Sequence, residues 1–387
     1  MTDFLYLIKR FFLEPLVLLG ELKMLLKFRS QSEYDSIFFA VRPFQETFMR
    51  SISEHLPPEV KVAFVREQGK GKVDGPWERP PQGVDVYYIC RPLTKFLKAK
   101  SFLTPEYSPT TRLLPKTPYH IHIPHSPVSL HMIYPENAFE GFNVFFGVGK
   151  HHEEEVKAMD DKNRRSYRPV YQVGYGRLDH LKKEHDNHQN QFDVGDKKLI
   201  VIAPSWHEGN ILEEVGPKFS KTLLEEGYAV AFRPHYKIEE NKKAFIERLR
   251  EELNSEPFFF LQTAGADNST LYEADLMISD FSGVAFEFAF LREKPVLFLD
   301  VPPKKRNPNW RELSTEPVEL KLREELGALT SVEKNAMSQK VQELLEKQEH
   351  FASRIAEIRK QYCYNFESGA GKAGANCLKE LIRENRT

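Results

Sequence analysis

The segment HIHIPHSPVSLH, residues 120–131, contains four of the thirteen histidines in the chain. His120 and His122 alternate with isoleucines, so we expect their side chains on one face of a strand, where they pack or form hydrogen bonds rather than react. His125 follows that strand. A metal site built on these three residues would need further Asp or His ligands, and the segment contains no Asp. The segment alone leaves three roles open for His125: metal ligand, catalytic base or packed core residue.

A second candidate is the segment DLMISDFSGVAFEFAFLREKPVLFLD, residues 275–300. A predicted strand ends at Ser279 and Asp280, and a short turn with Ser282 and Gly283 leads into a predicted helix. Backbone N–H groups and the positive end of a helix at such a junction can bind a phosphate, and serine hydroxyls can add hydrogen bonds. The same residues would also fit an ordinary helix N-cap, so the pattern leaves both roles open.

Polar residues also follow other predicted strands. In AFRPHYK the strand is followed by His235, with Arg233 and Lys237 beside it. The segments VIAPSWHEGN and VGYGRLDHL, residues 201–210 and 173–181, repeat this arrangement. The carboxyl edge of an open parallel sheet is where ligands bind, and a cation there could neutralise a departing phosphate. A lone loop histidine can also have no role, which is the alternative for His235.

Composition narrows the class of protein. The chain has 387 residues, of which 41% are hydrophobic, and a formal net charge of −1. These values suit two domains of ordinary size and disfavour a nucleic-acid-binding surface. The three cysteines, Cys90, Cys363 and Cys377, are widely spaced and form no CxxC motif. They indicate a reducing compartment rather than a disulfide framework or a thiolate metal site.

The elements that would position these residues are short apolar runs separated by helical stretches. The first series of predicted strands is SIFFAV, VKVAFV, VDVYYIC, YHIHI and FNVFFGV, and the second is KLIVIAP, YAVAFRP, PFFFLQ, DLMISD and PVLFLD. Helix patterns lie between them, such as KFSKTLLEEG, which Gly227 is placed to end. The alternation predicts an α/β fold with two Rossmann-like, doubly wound domains. This arrangement is typical of GT-B-type transferases, which bind a nucleotide donor in the cleft between their domains.

Changes of pattern divide the chain. We assign residues 1–30 to an N-terminal segment, 31–180 to a first Rossmann-like domain, 181–197 to a polar linker, 198–330 to a second Rossmann-like domain and 331–387 to C-terminal helices. The GAGKAG sequence at 369–374 matches a dinucleotide-binding pattern, but it follows a helical stretch near the C-terminus. We interpret it as a loop before the last helix.

The N-terminal segment is rich in Leu and Phe but interrupted by charges, so we expect neither a membrane-spanning helix nor a signal peptide. A helical projection places six apolar residues on one face: Phe4, Ile8, Phe11, Leu18, Leu22 and Leu25. Pro15 is expected to kink or divide the helix. The pattern fits an amphipathic helix that lies in a membrane interface through residues 1–28, and it equally fits a helix packed on its own domain or on a partner subunit.

Four segments in register resemble the CDP-glycerol glycerophosphotransferase family, the teichoic acid polymerases and primases. Members tend to carry Gly-Tyr-Pro-Arg-x-Asp, then strands ending in Ala-Pro-Thr-Trp-Arg and Pro-His-Pro, and then Ser-Asp-Tyr-Ser-Ser before a helix. The corresponding residues here are Gly174-Tyr175-Gly176-Arg177-Leu178-Asp179, Ala203-Pro204-Ser205-Trp206-His207, Arg233-Pro234-His235-Tyr236 and Ser279-Asp280-Phe281-Ser282-Gly283. The resemblance covers roughly residues 115–300.

This resemblance implies a role for each candidate. His125 matches the histidine of the family's His-Gly and would act as general base on an acceptor hydroxyl, for which a neutral imidazole with a pKa of about 6.5 is suited. His235 would stabilise charge on the nucleotide leaving group. The first domain would bind the acceptor and the second the donor. The donor and its phosphates would contact Ser205, Trp206, Arg233, Ser279, Asp280, Ser282, Gly283 and Glu287, and Ser126, Arg177, Asp179 and His207 would face the acceptor or the cleft.

The chain also departs from the family's pattern. The family's His-Gly is His125-Ser126 here, its Pro-Arg is Gly176-Arg177, its Trp-Arg is Trp206-His207, and its Ser-Ser is Ser282-Gly283. The donor is therefore left open among CDP-glycerol, CDP-ribitol, another CDP-alcohol and a nucleotide sugar.

We predict a metal-independent transferase without a cofactor. It would move a phospho-alcohol from a CDP-linked donor to a hydroxyl of a surface-glycan or lipid-linked acceptor. We expect it in the cytoplasm, peripheral on the inner face of the cell membrane, with no nucleic-acid partner. The alternatives are a GT-B glycosyltransferase that uses a nucleotide sugar, a more distant non-hydrolysing nucleotide-sugar epimerase, and a catalytically inactive nucleotide- or glycan-binding scaffold of an envelope assembly complex.

Overall fold

A computed structural model describes residues 8, 11–31, 33–67, 77, 79–108, 110–263 and 267–384. Phe4, which belongs to the predicted amphipathic face, lies outside the described residues. The chain forms two compact units. The first unit comprises Met1–His125, Tyr134–Asp179 and Tyr364–Thr387, and the second comprises Ser126–Ile133 and His180–Cys363.

The first unit contains a parallel sheet with the strand order β3-β2-β1-β4-β5-β6-β7. Its strands are β1 Tyr34–Ala40, β2 Val62–Arg66, β3 Asp85–Tyr88, β4 Ala99–Thr104, β5 Tyr119–His122, β6 Val144–Gly147 and β7 Val170–Gln172. Every residue of β1 is buried, as expected for a central strand covered on both faces. The order reverses direction between β1 and β4, which is the arrangement of a doubly wound sheet.

The second unit contains a parallel sheet with the strand order β10-β9-β8-β11-β12-β13. Its strands are β8 Leu199–Ala203, β9 Ala229–Phe232, β10 Phe259–Leu261, β11 Leu276–Ser279, β12 Val296–Leu299 and β13 Gly327–Thr330. The central strands β8 and β11 are fully buried and pair in register from Leu276 opposite Ile200 to Ser279 opposite Ala203. The predicted class, an α/β protein with two doubly wound parallel sheets, is confirmed.

Helices connect the strands. In chain order they are α1 Pro15–Ser30, α2 Pro43–Glu54, α3 Arg91–Thr94, α4 Leu130–Ile133, α5 Lys150–Lys162, α6 Gly176–Asp186, α7 Pro217–Glu225, α8 Tyr236–Asn241, α9 Lys243–Leu253, α10 Ser269–Glu273, α11 Gly283–Arg292, α12 Val318–Lys321, α13 Lys334–Glu346, α14 Gln348–Tyr362 and α15 Ala370–Glu384. Short 3₁₀ turns occur at Thr111–Leu113 and Trp310–Glu312. Gly227, which was predicted to end the helix now numbered α7, has φ +93°, a left-handed conformation that suits glycine.

The structure differs from the sequence prediction in several elements. Strands β4, β7 and β13 were not predicted: β4 begins among polar residues, β7 has three residues, and β13 is largely half-buried. Helix α6 continues to Asp186, so the first part of the predicted linker is helical. The interpretation of GAGKAG as a loop is wrong, because α15 begins at Ala370.

Helix α1 packs on the first unit through one face only. Leu25 and Phe28 are buried in a hydrophobic cluster with Tyr34 and Tyr87. Leu16, at 82% exposed, lies on the side of α1 away from that cluster. Several other apolar side chains of this segment are also exposed: Phe11, Phe12, Leu13, Leu19, Leu22 and Leu26. No helix among the described residues is long and apolar enough to cross a membrane.

Candidate functional site

The strand order of the second unit places a candidate site at one edge of its sheet. The order reverses between β8 and β11, and in doubly wound sheets ligands bind beyond the carboxyl ends of the strands at such a point. Strand β8 ends at Ala203 and β11 ends at Ser279. The loop with Ser205 and Trp206 and the turn before α11 therefore begin side by side.

Asp280 fastens these two loops to each other. Its carboxylate accepts hydrogen bonds from the backbone N–H of Ser205 at 2.9 Å and from the N–H of Ile211 at 3.3 Å, and the Ser205 hydroxyl oxygen lies 3.1 Å from it. The Ser279 hydroxyl donates to the carbonyl of Ala203 at 2.7 Å. Because Ser205, Ser279 and Asp280 are buried and bonded to protein atoms, they position the loops.

His207 extends this network. Its Nδ1 lies 2.6 Å from the Ser205 hydroxyl oxygen, and its Nε2 lies 2.8 Å from the carbonyl oxygen of Pro302. A carbonyl oxygen can only accept, so Nε2 carries a proton. Burial lowers the pKa of His207, against the opposing effect of that hydrogen bond. The His207 ring thus connects the loop after β8 with the loop after β12 and holds the two loops in position.

The turn before α11 has the properties of a phosphate-binding site. Ser282 is the N-cap residue and only 7% exposed, yet its side chain makes no cap hydrogen bond. Its hydroxyl has no hydrogen-bond partner within the part of the chain that the structure describes. The first N–H groups of a helix likewise lack intrahelical acceptors and carry partial positive charge. Glu287 lies further along α11 and is buried.

Positive side chains surround Trp206 in the same unit. The Lys237 ammonium lies 3.5 Å from the centroid of the Trp206 ring, and the Lys304 ammonium lies 5.1 Å from it. Burial lowers the pKa of Lys304 to about 8, and repulsion from Lys237 and Arg306 acts in the same direction, whereas Asp280 and Glu319 oppose it. Sequence reasoning missed Lys304, because it lies in a Pro- and Lys-rich loop that matches no motif.

His235 is the N-cap residue of α8, and its ring lies 6.2 Å from the Trp206 ring. Its Nδ1 accepts a hydrogen bond from the backbone N–H of Lys237 at 3.2 Å. Since a backbone N–H can only donate, Nδ1 holds a lone pair and the proton of the neutral ring is on Nε2. His235 is therefore set to act as a hydrogen-bond donor through Nε2.

Arg233 directly follows β9, the strand that leads to His235, but its side chain bonds to residues near β10 and α10. Its guanidinium donates to the side chains of Gln262, Thr270 and Asn268 and to the carbonyl of Asp267. These bonds hold the connection between β10 and α10.

In the first unit, His125 is half-buried beside aromatic rings. The Tyr134 hydroxyl oxygen lies 2.9 Å from Nδ1, and the carbonyl oxygen of Pro105 lies 3.4 Å from it. The Tyr175 hydroxyl donates to the backbone carbonyl of His125 at 2.9 Å. The Phe48 ring centroid is 6.4 Å from the imidazole. When Nδ1 donates its proton to Tyr134, Nε2 keeps the lone pair that a general base needs.

His120 and His122 are held by other groups. His120 is bonded through Nε2 to the carbonyl of Pro115 at 2.8 Å, and burial lowers its pKa. His122 is fully buried, with its ring centroid 4.7 Å from Phe139 and 5.1 Å from Phe142. Burial places the pKa of His122 well below its usual value, so it stays neutral. His120 thus forms a hydrogen bond and His122 packs among aromatic rings, so both have the structural roles that their alternation with isoleucine indicates.

Asp179 and Arg177 lie on α6. The Asp179 carboxylate accepts the backbone N–H groups of Ala370 at 3.0 Å and Gly371 at 2.7 Å, so it caps the start of α15. Arg177 is half-buried. Tyr134 and Asp179 thus have roles that the motifs did not reveal, because their partners are distant in sequence.

Two doubly wound parallel sheets, the second with a helix N-terminus where its strand order reverses, define a GT-B-like α/β protein. The family model described as CDP-glycerol:poly(glycerophosphate) glycerophosphotransferase matches residues 151–370. This is more than half of the chain, and the chain belongs to that family of transferases.

Individual relatives are more distant. A teichoic acid poly(glycerol phosphate) polymerase of Bacillus spizizenii is 27% identical over 143 residues, which cover 32% of this chain and 33% of that protein. The chain thus matches about a third of the length of this relative. The structure of the wall teichoic acid polymerase TagF has a TM-score of 0.60 at 14% identity, covering 100% of this chain and 98% of the other. A TagF variant soaked with CDPG has a TM-score of 0.57 at 15% identity, with the same coverage. These likenesses show the fold.

Proposed function

We propose that the protein transfers a phospho-alcohol, with glycerol phosphate favoured, from a CDP-linked donor to a hydroxyl of a surface-glycan or lipid-linked acceptor. The observation that carries this proposal is the turn before α11. Ser282, a buried residue whose hydroxyl has no hydrogen-bond partner among the described residues, stands there at a helix N-terminus, at the reversal point of the sheet. Membership in the glycerophosphotransferase family supports a CDP-linked donor.

The reaction assigned to these residues is a displacement at phosphorus. His125 Nε2 takes the proton of the acceptor hydroxyl, and the acceptor oxygen attacks the phosphorus that carries the alcohol. The bond from that phosphorus to the bridging oxygen breaks, and CMP leaves with the bonding electron pair. The products are the extended acceptor, CMP and a proton held first by His125.

The departing nucleotide gains negative charge, which the second unit is equipped to stabilise. The Nε2–H of His235, the ammonium groups of Lys237 and Lys304 and the N–H groups of α11 supply positive charge without needing to reorganise. Asp280 and Ser279 contribute indirectly, since they hold the loops that carry these groups. Trp206 presents a ring face to both lysines and so fixes their positions.

The location we propose is the inner face of the cell membrane, through α1. The exposed side of this helix carries Leu16, Leu19 and Leu26 together with Lys23 and Lys27. Leucines beside lysines fit a surface of anionic lipid, where the apolar side chains enter the interface and the ammonium groups meet phosphate. The opposite face is already packed on the first unit, so the helix is held while this side remains exposed.

The test is a donor panel with the purified protein: CDP-glycerol, CDP-ribitol, CDP, and several UDP- and CMP-sugars. A ligand at about 100 times its Kd should stabilise the fold by about 2.7 kcal/mol, which a thermal shift resolves. We expect a response to the CDP compounds alone. A response to a UDP- or CMP-sugar instead would indicate a glycosyltransferase, and no response would indicate a scaffold.

The panel needs a companion measurement to separate an enzyme from a binding protein. Release of CMP from CDP-glycerol, with a glycerol phosphate-primed lipid as acceptor, should be abolished by His125→Ala. The same variant should keep the affinity for CDP within a few-fold, because His125 acts on the acceptor. CMP release at the wild-type rate in this variant would show that His125 is not the base.

A further inference from the structure

The segment Ser126–Ile133 belongs to the second unit, although it follows His125 directly in the chain. Its Ser129 donates from the backbone N–H and from the hydroxyl to the buried carboxylate of Glu319, at 3.1 and 2.9 Å. The Asn307 side chain donates to the carbonyl of His131 at 2.9 Å, and the Arg306 N–H donates to the carbonyl of Met132 at 2.9 Å. The segment is thereby held, from Ser129 to Met132, in the unit that contains α11.

Ser126 contacts the first residue of α11. A Cβ atom added at Gly283 would lie well under 3.0 Å from the Ser126 hydroxyl oxygen, a separation that real Cβ atoms essentially never show, and 3.3 Å from the Ser126 Cβ. The Ser126 hydroxyl therefore occupies the space that a side chain at position 283 would fill. Only glycine leaves room at position 283 for this contact with Ser126.

Two hydroxyl groups thus converge on the N-terminus of α11. Ser282 is buried and Ser126 is half-buried. Across the described ranges, neither hydroxyl has a hydrogen-bond partner, so both are available to bind a ligand. The adjacent N–H groups at the helix start also point to where an anion would sit. Two hydroxyl donors beside a helix N-terminus match the several oxygens of a phosphate group.

We propose that Ser126 is a donor-side residue whose hydroxyl binds the same phosphate group of the CDP-linked donor as Ser282 and the N-terminus of α11. This inference rests on the proposed function, and it moves Ser126 from the acceptor side to the donor side. It also gives one explanation for two departures from the family's sequence pattern. Serine in place of glycine at 126 and glycine in place of serine at 283 exchange one hydroxyl between two positions in contact.

The first test compares wild type with Ser126→Ala by isothermal titration calorimetry, using CDP and cytidine as probes. The variant keeps the Cβ and loses the hydroxyl. We expect the affinity for CDP to fall about tenfold, as for a lost hydrogen bond to a charged group, and the affinity for cytidine to stay within twofold. An unchanged affinity for CDP, or an equal loss with cytidine, would overturn the inference.

The second test exchanges the two residues. Gly283→Ser should weaken CDP binding more than tenfold, because its side chain collides with Ser126. The double variant Ser126→Gly/Gly283→Ser should recover to within about threefold of wild type, since the hydroxyl returns from the other position. A double variant with the wild-type melting temperature but no recovery would contradict the exchange. If Gly283→Ser does not fold, the titrations of Ser126→Ala with CDP and cytidine decide whether Ser126 binds the donor phosphate.

The proposed function and the role of Ser126 can be tested separately. A wild-type protein that binds no CDP compound would overturn the proposed function and this inference together. CDP binding that is independent of Ser126 would overturn the inference alone.

Discussion

The hydroxyl oxygen of Tyr134 lies 2.9 Å from Nδ1 of His125, at the opposite side of the ring from the nitrogen that would act as base. The backbone of His125 is held as well, since its carbonyl accepts the Tyr175 hydroxyl. The ring is thus oriented from one side and the main chain from another. This is the support that a histidine base needs, because its tautomer is set by the partner of its other nitrogen.

Tyr134→Phe should lower kcat about three- to tenfold, because about 1 kcal/mol of orienting hydrogen bond is lost. The KM for the donor should not change, since Tyr134 acts through His125. Steady-state CMP release measures both constants, and its pH profile should shift on the acid side. A variant with the wild-type melting temperature, kcat and pH profile would show that Tyr134 does not position the base.

The affinity for CDP should depend on pH through Lys304. Its pKa is lowered to about 8, so the ammonium is present below that pH and lost above it. If binding uses the ammonium, Kd should rise about tenfold from pH 7 to pH 9. Calorimetric titrations of CDP across this range measure the effect, with His207 remaining neutral because its pKa is lowered.

Two variants control that measurement. Lys304→Arg keeps the charge to far higher pH and should flatten the profile. The neighbouring Lys305 is exposed, and Lys305→Met should keep the wild-type profile. A Lys304→Arg protein whose affinity still declines above pH 8 would assign the dependence to another group.

Membrane binding should be lost in the double variant Leu16→Glu/Leu26→Glu. Both side chains are exposed, at 82% and 67%, so the change leaves the packed face of α1 intact. Each leucine contributes about 1.5–3 kcal/mol when it enters an apolar phase. Co-sedimentation with phosphatidylglycerol vesicles should therefore fall by more than tenfold.

A matched control for the vesicle experiment is Phe96→Glu, which changes an exposed aromatic residue of the same unit, 49% exposed, outside α1. It should sediment like wild type. Deletion of residues 1–28 is a poorer test, because it also removes Leu25 and Phe28 from the core. Equal sedimentation of the double variant would assign the exposed face to a protein partner.

Asp179→Ala should destabilise the first unit by about 1–2 kcal/mol, because the start of α15 loses a capping carboxylate. The free energy of unfolding from urea titration measures this loss. The affinity for CDP should not change. Asp186→Ala, an exposed carboxylate at the end of α6, should have little effect on stability. A stable Asp179→Ala protein with impaired transfer would restore the acceptor-side role predicted from the motif.

Much of the fold could be read from patterns that are local in sequence. Buried strands appear as uninterrupted apolar runs such as LIVIA in β8 and LMIS in β11, and the helices between them enforce parallel pairing. The candidate residues could be found for the same reason, since a ligand edge lies where the strands end. The strands that escaped prediction, β4, β7 and β13, are polar at one end, short or half-exposed.

The sequence by itself determined which residues stand at the carboxyl ends of the strands, because that depends only on the order of elements along the chain. The tertiary structure alone decided what each side chain does there. Arg233 turns to Gln262 and Asn268, Asp280 holds the loop of Ser205, and Ser126 fills the space beside Gly283. Hydrogen bonds and steric contacts act over about 3 Å, and residues far apart in sequence come that close only once the chain has folded.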